Sequence, residues 1–339
     1  MGKEFDIFNP KISKVIAGIE GKCILIHSNE RKVGKTAQAC RMPSPLYLRF
    51  EQGINFIPDI PYMELTSWSD FKKVNKQLTN AKTLEQAKEK YKTIIFDTVD
   101  VAIKWCDQYV CASQGVSRIN DGNDGYGLWK EYENEWFKEI NKLTNAGYAI
   151  YFISHSEEKK LVNPITGDEY EQMCPKGDKR TIDLILDLVD IIGYVQSGGL
   201  DEEGNEIMST LYLANTKQFM AGSRLDYLPD IISPFTAENL QKAIKEAVEK
   251  KAKESGTKAI TYEEKKEMEK KEHKSYDELI AEIEPLMKSL WDSHKEEVAD
   301  IVEEYLGSNV KVSETTKKQI PQLEMILSDL QDLAEEDEV

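Results

Sequence analysis

The segment Gly21 to Thr36, GKCILIHSNERKVGKT, holds the residue types most capable of chemistry. Cys23-Ile24-Leu25-Ile26 reads as a buried strand, Ser28 to Val33 as a polar turn, and Gly34-Lys35-Thr36 leads into a helix at Ala37-Gln38-Ala39. Strand, loop and helix in that order are the setting of a phosphate-binding loop. The spacing G-x-x-x-x-G-K-[ST] is met except at its first glycine, where Asn29 stands. Asparagine is the non-glycine residue that best tolerates a left-handed backbone, so the loop is expected to close with Asn29 in that conformation. Backbone N–H groups across Asn29, Glu30, Arg31, Lys32, Val33, Gly34 and the helix start at Lys35, Thr36 and Ala37 would then converge on phosphate oxygens. Lys35 would sit as a point charge on the β- and γ-phosphates of ATP, with the Thr36 hydroxyl on Mg²⁺. The competing reading is an ordinary strand–turn–helix whose Gly-Lys-Thr is accidental.

A second signal is Thr93-Ile94-Ile95-Phe96-Asp97-Thr98-Val99-Asp100, an apolar run ending in an acid. At a strand's C-terminal end beside a phosphate loop, Asp97 could hold Mg²⁺ through water. Tyr148 to Ile153 is a further buried strand ending in Ser154-His155, where His155 either senses a γ-phosphate or simply caps the strand. Leu46 to Phe50 precedes Glu51-Gln52-Gly53 as another strand.

The elements that position these residues follow from hydrophobic period and breakers. Pro43-Ser44-Pro45 stops the first helix, residues 70–91 have helical composition, and Val101 to Val110 reads as a helix. A long Gly- and Asn-rich loop covers 112–127, and a helix runs from Leu128 to Asn145 with Trp129, Tyr132, Trp136 and Phe137, whose helical spacing favours core over a stacking platform. A second long loop is expected over 156–181, then sheet at Leu184 to Val195 and Leu211 to Ala214 around a turn at 198–205. Lys217 and Arg224 follow in a Gly-containing turn. The first domain is expected to end at residue 235. A charged helical linker would fill 236–274, a small helical module 275–331, and a disordered acidic tail 332–339. Ser275 and Glu278 form a capping box ahead of the module's first apolar stripe.

Composition narrows the function classes. With 339 residues and 40% hydrophobic content the chain can build one large core plus an appendage. No apolar run approaches a membrane span and no signal segment opens the chain, so a cytoplasmic protein without membrane partners is expected. Asp6 spoils a myristoylation signal. Five cysteines without a C-x-x-C pair, and four histidines without H-x-x-x-H, argue against a disulfide framework and a structural zinc site. Net charge is −17, but the residues from Thr236 onward hold 16 Lys, no Arg and 27 acidic residues. The remainder is therefore only mildly acidic, and a local basic groove is compatible with it.

The order of these elements resembles the RecA-type ATPase core. More closely it resembles the phage-encoded RecA-like AAA-family ATPases treated as Sak-type single-strand annealing recombinases. The resemblance covers about residues 10–235 and leaves out the C-terminal third. It implies an α/β fold, a RecA-like P-loop NTPase core with a mostly parallel sheet, plus an α-helical C-terminal extension. It also implies a DNA-stimulated ATP hydrolase using ATP and Mg²⁺, active in the host cytoplasm. Glu51 matches the water-activating glutamate, Asp97 the metal-associated acid, and His155 the residue linking γ-phosphate to the second loop. The two long loops match DNA-binding loops, with Arg118, Lys159, Lys160, Lys176, Lys179 and Arg180 as candidate single-stranded-DNA contacts. A homo-oligomer would bring Lys217 and Arg224 to a neighbour's nucleotide, and a single-strand-binding or other recombination or replication protein is a further expected partner. Asn29 and Glu30 depart from the pattern. Two other classes compete: a nucleotide-binding regulator or scaffold with little hydrolysis, and a small-molecule phosphotransferase, which would need an Arg-rich lid that this chain lacks.

Overall fold

Alternating inward residues build a sheet covered on both sides. In a computed structural model, which describes residues 12–269, 274–308 and 310–336, the chain divides into two units, 1–268 and 269–339. In chain order the first unit has β1 (Cys23–Ser28), α1 (Lys35–Ala39), β2 (Pro45–Arg49), β3 (Tyr62–Glu64), α2 (Trp68–Thr79), α3 (Leu84–Lys90) and β4 (Thr93–Asp97). There follow α4 (Val99–Ser113), α5 (Trp129–Ala146), β5 (Ala149–Val162), β6 (Glu169–Pro175), α6 (Lys179–Leu186) and β7 (Ile191–Gln196). The strands β8 (Thr210–Tyr212), β9 (Gly222–Ser223) and β10 (Ile231–Ile232) and the helices α7 (Ala237–Glu254) and α8 (Tyr262–Glu269) complete it.

The sheet order is β10-β8-β7-β1-β5-β4-β2-β3, parallel from β7 to β3 and antiparallel at β8 and β10. Cys23 and Leu25 of β1 face a core with Ile94, Phe96, Ile150 and Phe152, covered by α2, α4, α5 and α6. Ile24 and Ile26 face the other side with Ile95, Tyr151, Ile153 and residues of α1 and α7. Strands buried on both faces read as unbroken apolar runs, which is why β1, β4 and β5 were visible in the sequence. Tyr132 and Trp136 of α5 are core, as their helical spacing predicts.

Four expectations change. The first domain does not end at 235, because Leu240, Ala243, Ile244 and Val248 of α7 pack on the sheet at helical spacing. Tyr262 of α8 also donates through its hydroxyl to Thr144 O at 2.8 Å. Residues 237–268 thus belong to the first unit rather than to a linker, and residues 270–273 lie outside the described ones. Next, 156–181 is not a loop: β5 runs on to Val162 and pairs antiparallel with β6 as a projecting hairpin. Its turn is closed by Asn163 N donating to Asp168 O and by Gly167 at φ 76, the turn chemistry of Asn-Pro and Gly-Asp. Thirdly, the sheet expected over Leu184 to Val195 begins only at Ile191, because Leu184, Ile185 and Leu186 end the helix α6. Asp178 caps α6 by accepting from Thr181 N, and Ile182, Leu184 and Ile185 bury its inner face. Within 112–127, α4 extends to Ser113 and two short 3-10 turns follow.

The second unit holds α9 (Tyr276–Leu290), α10 (Lys295–Leu306) and α11 (Ile320–Glu336), with Leu279, Ile283, Val298, Val302, Leu323, Ile326 and Leu330 as its core. The Ser275–Glu278 capping box is present. The acidic end departs from expectation: α11 continues through Asp332 to Glu336, and 337–339 lie outside the described residues. Among the described residues no helix is long and apolar enough to cross a membrane.

Candidate active site

Parallel strands deliver their C-terminal ends to one edge of a sheet. Here Ser28 of β1 pairs in register with His155 of β5, and Asp97 of β4 with Ile153 and with Arg49 of β2. The phosphate loop, Glu51, Asp97 and His155 therefore gather at that edge.

Gly34 enters α1 at φ 87, and a Cβ there would meet nothing nearer than Gln38 Cγ at 4.0 Å. The backbone, not a clash, thus calls for glycine. The other left-handed loop residue is Lys32 at φ 62, and Asn29 does not take that conformation. Asn29 instead accepts a 2.6 Å hydrogen bond from the Tyr194 hydroxyl, anchoring the loop to β7. The Glu30 carboxylate turns away from the loop to accept from Ser197 N at 3.3 Å, while Glu30 O accepts from Lys35 Nζ at 3.2 Å. That relieves the conflict an acid in this loop implied. Val33 is buried and pins the loop from below, whereas Arg31 and Lys32 are exposed. Lys35, Thr36 and Ala37 form the first turn of α1 and are half-buried. Burial lowers the Lys35 pKa, opposed by Asp97, Asp100 and Glu30.

Behind the loop, Asp97 Oδ2 accepts from Thr36 Oγ1 at 2.6 Å and from the Tyr47 hydroxyl at 3.0 Å. Burial pushes the Asp97 pKa up, while the two hydroxyls oppose the rise. A Cβ on Gly53 would lie 2.6 Å from the Tyr47 oxygen and 2.9 Å from Asp97 Oδ2, so only glycine lets this turn close over the acid. Thr36 and Asp97 form a hard, all-oxygen donor pair suited to Mg²⁺, and a cation would restore the charged carboxylate that burial disfavours. The residues fit the group.

Glu51 Oε1 accepts from Thr98 Oγ1 at 2.8 Å, and Glu51 N donates to Asp97 O at 2.9 Å. The glutamate is thus held beside the Asp97 end of β4. Glu51, Asp100 and His155 each bring a polar atom within 4.8 Å of the others. His155 Nδ1 lies 3.2 Å from Asp100 Oδ2, and this hydrogen bond raises the imidazole pKa against burial. With Nδ1–H spent on Asp100, only Nε2 of this ring is open to a ligand. Thr98, Asp100, Tyr47 and Gly53 were missed in the sequence. The acid three residues beyond Asp97 was the available signal for Asp100.

His27 is fully buried one residue before the loop, with Nδ1 2.7 Å from Ser156 Oγ and Nε2 2.7 Å from Met220 O. Burial lowers its pKa to about 4, so the ring is neutral. A carbonyl only accepts, so Nε2 donates to Met220 and Nδ1 accepts from Ser156. This ties the root of the hairpin to the root of the phosphate loop.

The candidate DNA cations do not share one surface. The hairpin carries Glu157, Glu158, Asp168, Glu169 and Glu171 against Lys159 and Lys160. Lys159 donates to Gly177 O, and Lys160 stands opposite Glu171 in the ladder. Lys176, Lys179 and Arg180 are exposed at the hairpin's base, and Arg180 lies 4.4 Å over the Trp129 ring. Trp129 in turn donates to Asn120 at 3.2 Å, bringing the base beside the 114–128 segment that carries exposed Arg118 and Tyr126.

Lys217 and Arg224 are separated. Lys217 is exposed in the turn at 215–219, where Phe219 stacks on Tyr194 at 4.7 Å on the phosphate-loop side. Arg224 N donates to Asp190 O, and Asp190 Oδ2 accepts from Cys23 N at the start of β1. Arg224 thus sits at the opposite end of β1, about 17 Å away at the usual strand rise. There it donates to Asp187 O at 3.0 Å and reaches Asp190 at 3.8 Å.

Residues 21–225 match the AAA domain family. A prophage-derived uncharacterized protein, YorG of the SPbeta prophage in Bacillus subtilis (strain 168), is 46% identical over 332 residues, 98% of this chain and 99% of that protein.

Proposed function

Since the chain belongs to the AAA domain family and is similar to a prophage-derived protein along its whole length, we propose that it is a phage Mg-ATP hydrolase acting on single-stranded DNA, as an annealing or strand-pairing recombinase. The AAA domain implies nucleotide binding, usually with Mg²⁺. Lys35 and the loop amides bind the phosphates, and Glu51 accepts the proton of the attacking water. Thr36 and Asp97 would hold the metal, whose chemistry there would be charge neutralisation on the phosphates.

One observation carries the coupling to DNA. β5 is a single 14-residue strand that contains His155 and continues into the hairpin from Ser156. A residue facing the γ-phosphate and an outer arm thus share one rigid element, so loss of the phosphate can reposition the arm. The DNA surface is the hairpin's base with Lys176, Lys179 and Arg180, continued by the adjoining segment that carries exposed Arg118 and Tyr126. Cations beside an aromatic suit a flexible phosphate backbone with stacking bases.

Arg224 faces away from its own nucleotide and is 61% exposed, so any contact with phosphate would be to a second copy in a head-to-tail homo-oligomer. Lys217, on the other end, would not share that role. The helical module is the natural recruiter of a single-strand-binding or other replication protein. A second reading has its own support: five acids against two lysines make the hairpin a poor DNA arm, which favours a nucleotide-driven regulator whose arm meets a protein. Measuring ATP turnover with and without single-stranded DNA decides between them. Stimulation supports the recombinase, and turnover indifferent to DNA supports the regulator.

A further inference from the structure

Asp100 is the residue at this edge whose chemistry the proposed function leaves unused. It is the second residue of α4, only 6% exposed, and its carboxylate reaches across to β5. Oδ2 lies 3.2 Å from His155 Nδ1 and Oδ1 lies 3.5 Å from His155 N, so one carboxylate engages both the ring and the backbone of the histidine. An ionised carboxylate only accepts, so Nδ1 carries a proton in either charge state of the ring. The titrating nitrogen is then Nε2, the one left to face the nucleotide.

We propose that Asp100 is a positioning residue for ATP turnover, clamping His155 so that Nε2 is presented to the γ-phosphate while the root of the hairpin is held in register. This rests on the phosphate-sensing role given to His155 above. The charged groups around the ring are Asp100 from α4, Glu51 from the segment after β2, and Lys35 from α1. Lys176, at the end of the hairpin, meets His155 through its backbone N–H, which donates to His155 O at 2.9 Å. The Asp100 hydrogen bond raises the His155 pKa, burial and Lys35 oppose it, and the two carboxylates add to the rise. The imidazolium is the form that donates to a phosphate, so the clamp extends it toward neutral pH. Asp100 feels the reverse: burial, the largest single influence, favours its neutral form, but the bonds and charge of His155 together with the Thr98 hydroxyl outweigh it and lower its pKa.

A purely structural role is the competing account, since an acid in a helix's first turn is favourable whatever it faces. The substitution Asp100→Asn keeps the shape and an accepting oxygen but removes the charge. In the full-length protein, kcat should fall about tenfold with KM for ATP little changed, and the alkaline limb of the kcat profile should move to lower pH. The His155 ring resonance, identified by its loss in His155→Gln and followed by NMR without nucleotide, should titrate lower in the variant. In the His155→Gln background, Asp100→Asn should have almost no further effect. An unchanged His155 titration, or an equal loss of kcat in both backgrounds, overturns the proposal. The NMR measurement needs no turnover, so an inactive wild-type protein would defeat the hydrolase reading and leave the clamp to be judged on the ring alone.

Discussion

The nucleotide edge and the hairpin that rises from it are adjacent on β5 and built on opposite terms. At the edge the site's inner polar side chains are paired: Thr36 and Tyr47 on Asp97, Thr98 on Glu51, His155 on Asp100. On the hairpin most side chains past Glu157 face solvent, including Val162 and Ile165 at 59% and 92% exposure. Buried polar groups must find partners, so their positions are fixed by geometry; a solvated arm is free to carry whatever its partner needs. The edge therefore reads as preorganised chemistry and the arm as recognition.

The largest expected effect tests the edge. Lys35→Ala should reduce ATP turnover by about 10³-fold, because its ammonium would neutralise the phosphates at an edge whose neighbouring titratable side chains, Asp97, Asp100 and Glu30, are acids. The melting temperature should barely change, since the side chain caps no element and its one hydrogen bond is to Glu30 O. Turnover within a few-fold of wild type would remove the phosphate-loop assignment.

Next comes Glu51→Gln, expected to lower turnover by about 10²-fold while nucleotide binding persists. The amide oxygen can still accept from Thr98, so stability should hold. Normal turnover with a lowered melting temperature would make Glu51 a strand-end support and leave the edge without a base.

What the sequence made legible follows the same division. The phosphate loop, Asp97 and His155 could be located because parallel strands bring residues distant in sequence to neighbouring strand ends, whereas Glu51 was singled out by the resemblance to RecA-type cores. Asp100 and Tyr47 were not, because their roles depend on which hydroxyl or imidazole lies across the sheet, and one sequence does not specify that. Helix α7 was misplaced because its lysines and glutamates dominate its composition, though Leu240, Ile244 and Val248 already had the period of a buried face. The hairpin was lost among its charges, with Asn163-Pro164 and Gly167-Asp168 as the only sign of a turn. Cations could be counted in sequence, but their partners could not.

The junction of the two regions is His27, and acid tests it. Its folded pKa of about 4 lies below the unfolded value of 6.5, so the unfolded chain takes up a proton first as pH falls. The stability that a neutral His27 contributes is complete above pH 6.5 and is lost on the way down to pH 4, about 3 kcal/mol in all. Urea unfolding at pH 7 and pH 4.5 should show wild type losing more stability than His27→Gln, in which this titration is absent. Equal losses would mean that His27 does not join the hairpin to the phosphate loop as a neutral bridge.

The smallest effect separates the hairpin from its base. If DNA is met at the base, replacing Lys176 and Lys179 with Glu should weaken single-stranded DNA binding about tenfold at low salt, while Lys160→Glu should change it little. The reasoning is one of field: Lys160 stands opposite Glu171 with Glu158 and Glu169 nearby, so its charge is already compensated, whereas Lys176 and Lys179 are exposed beside Arg180. About three phosphates neutralised at the base would give a log–log salt slope of roughly −2, and the double substitution should flatten it. Fluorescence anisotropy of a labelled oligonucleotide across a salt series, with ATP and Mg²⁺ present, reads both quantities. Equal losses from the two sites would place the arm itself on the DNA and erase the distinction drawn between arm and base. No binding at any salt would transfer the arm to a protein partner, where its five acids become the recognition element rather than an obstacle.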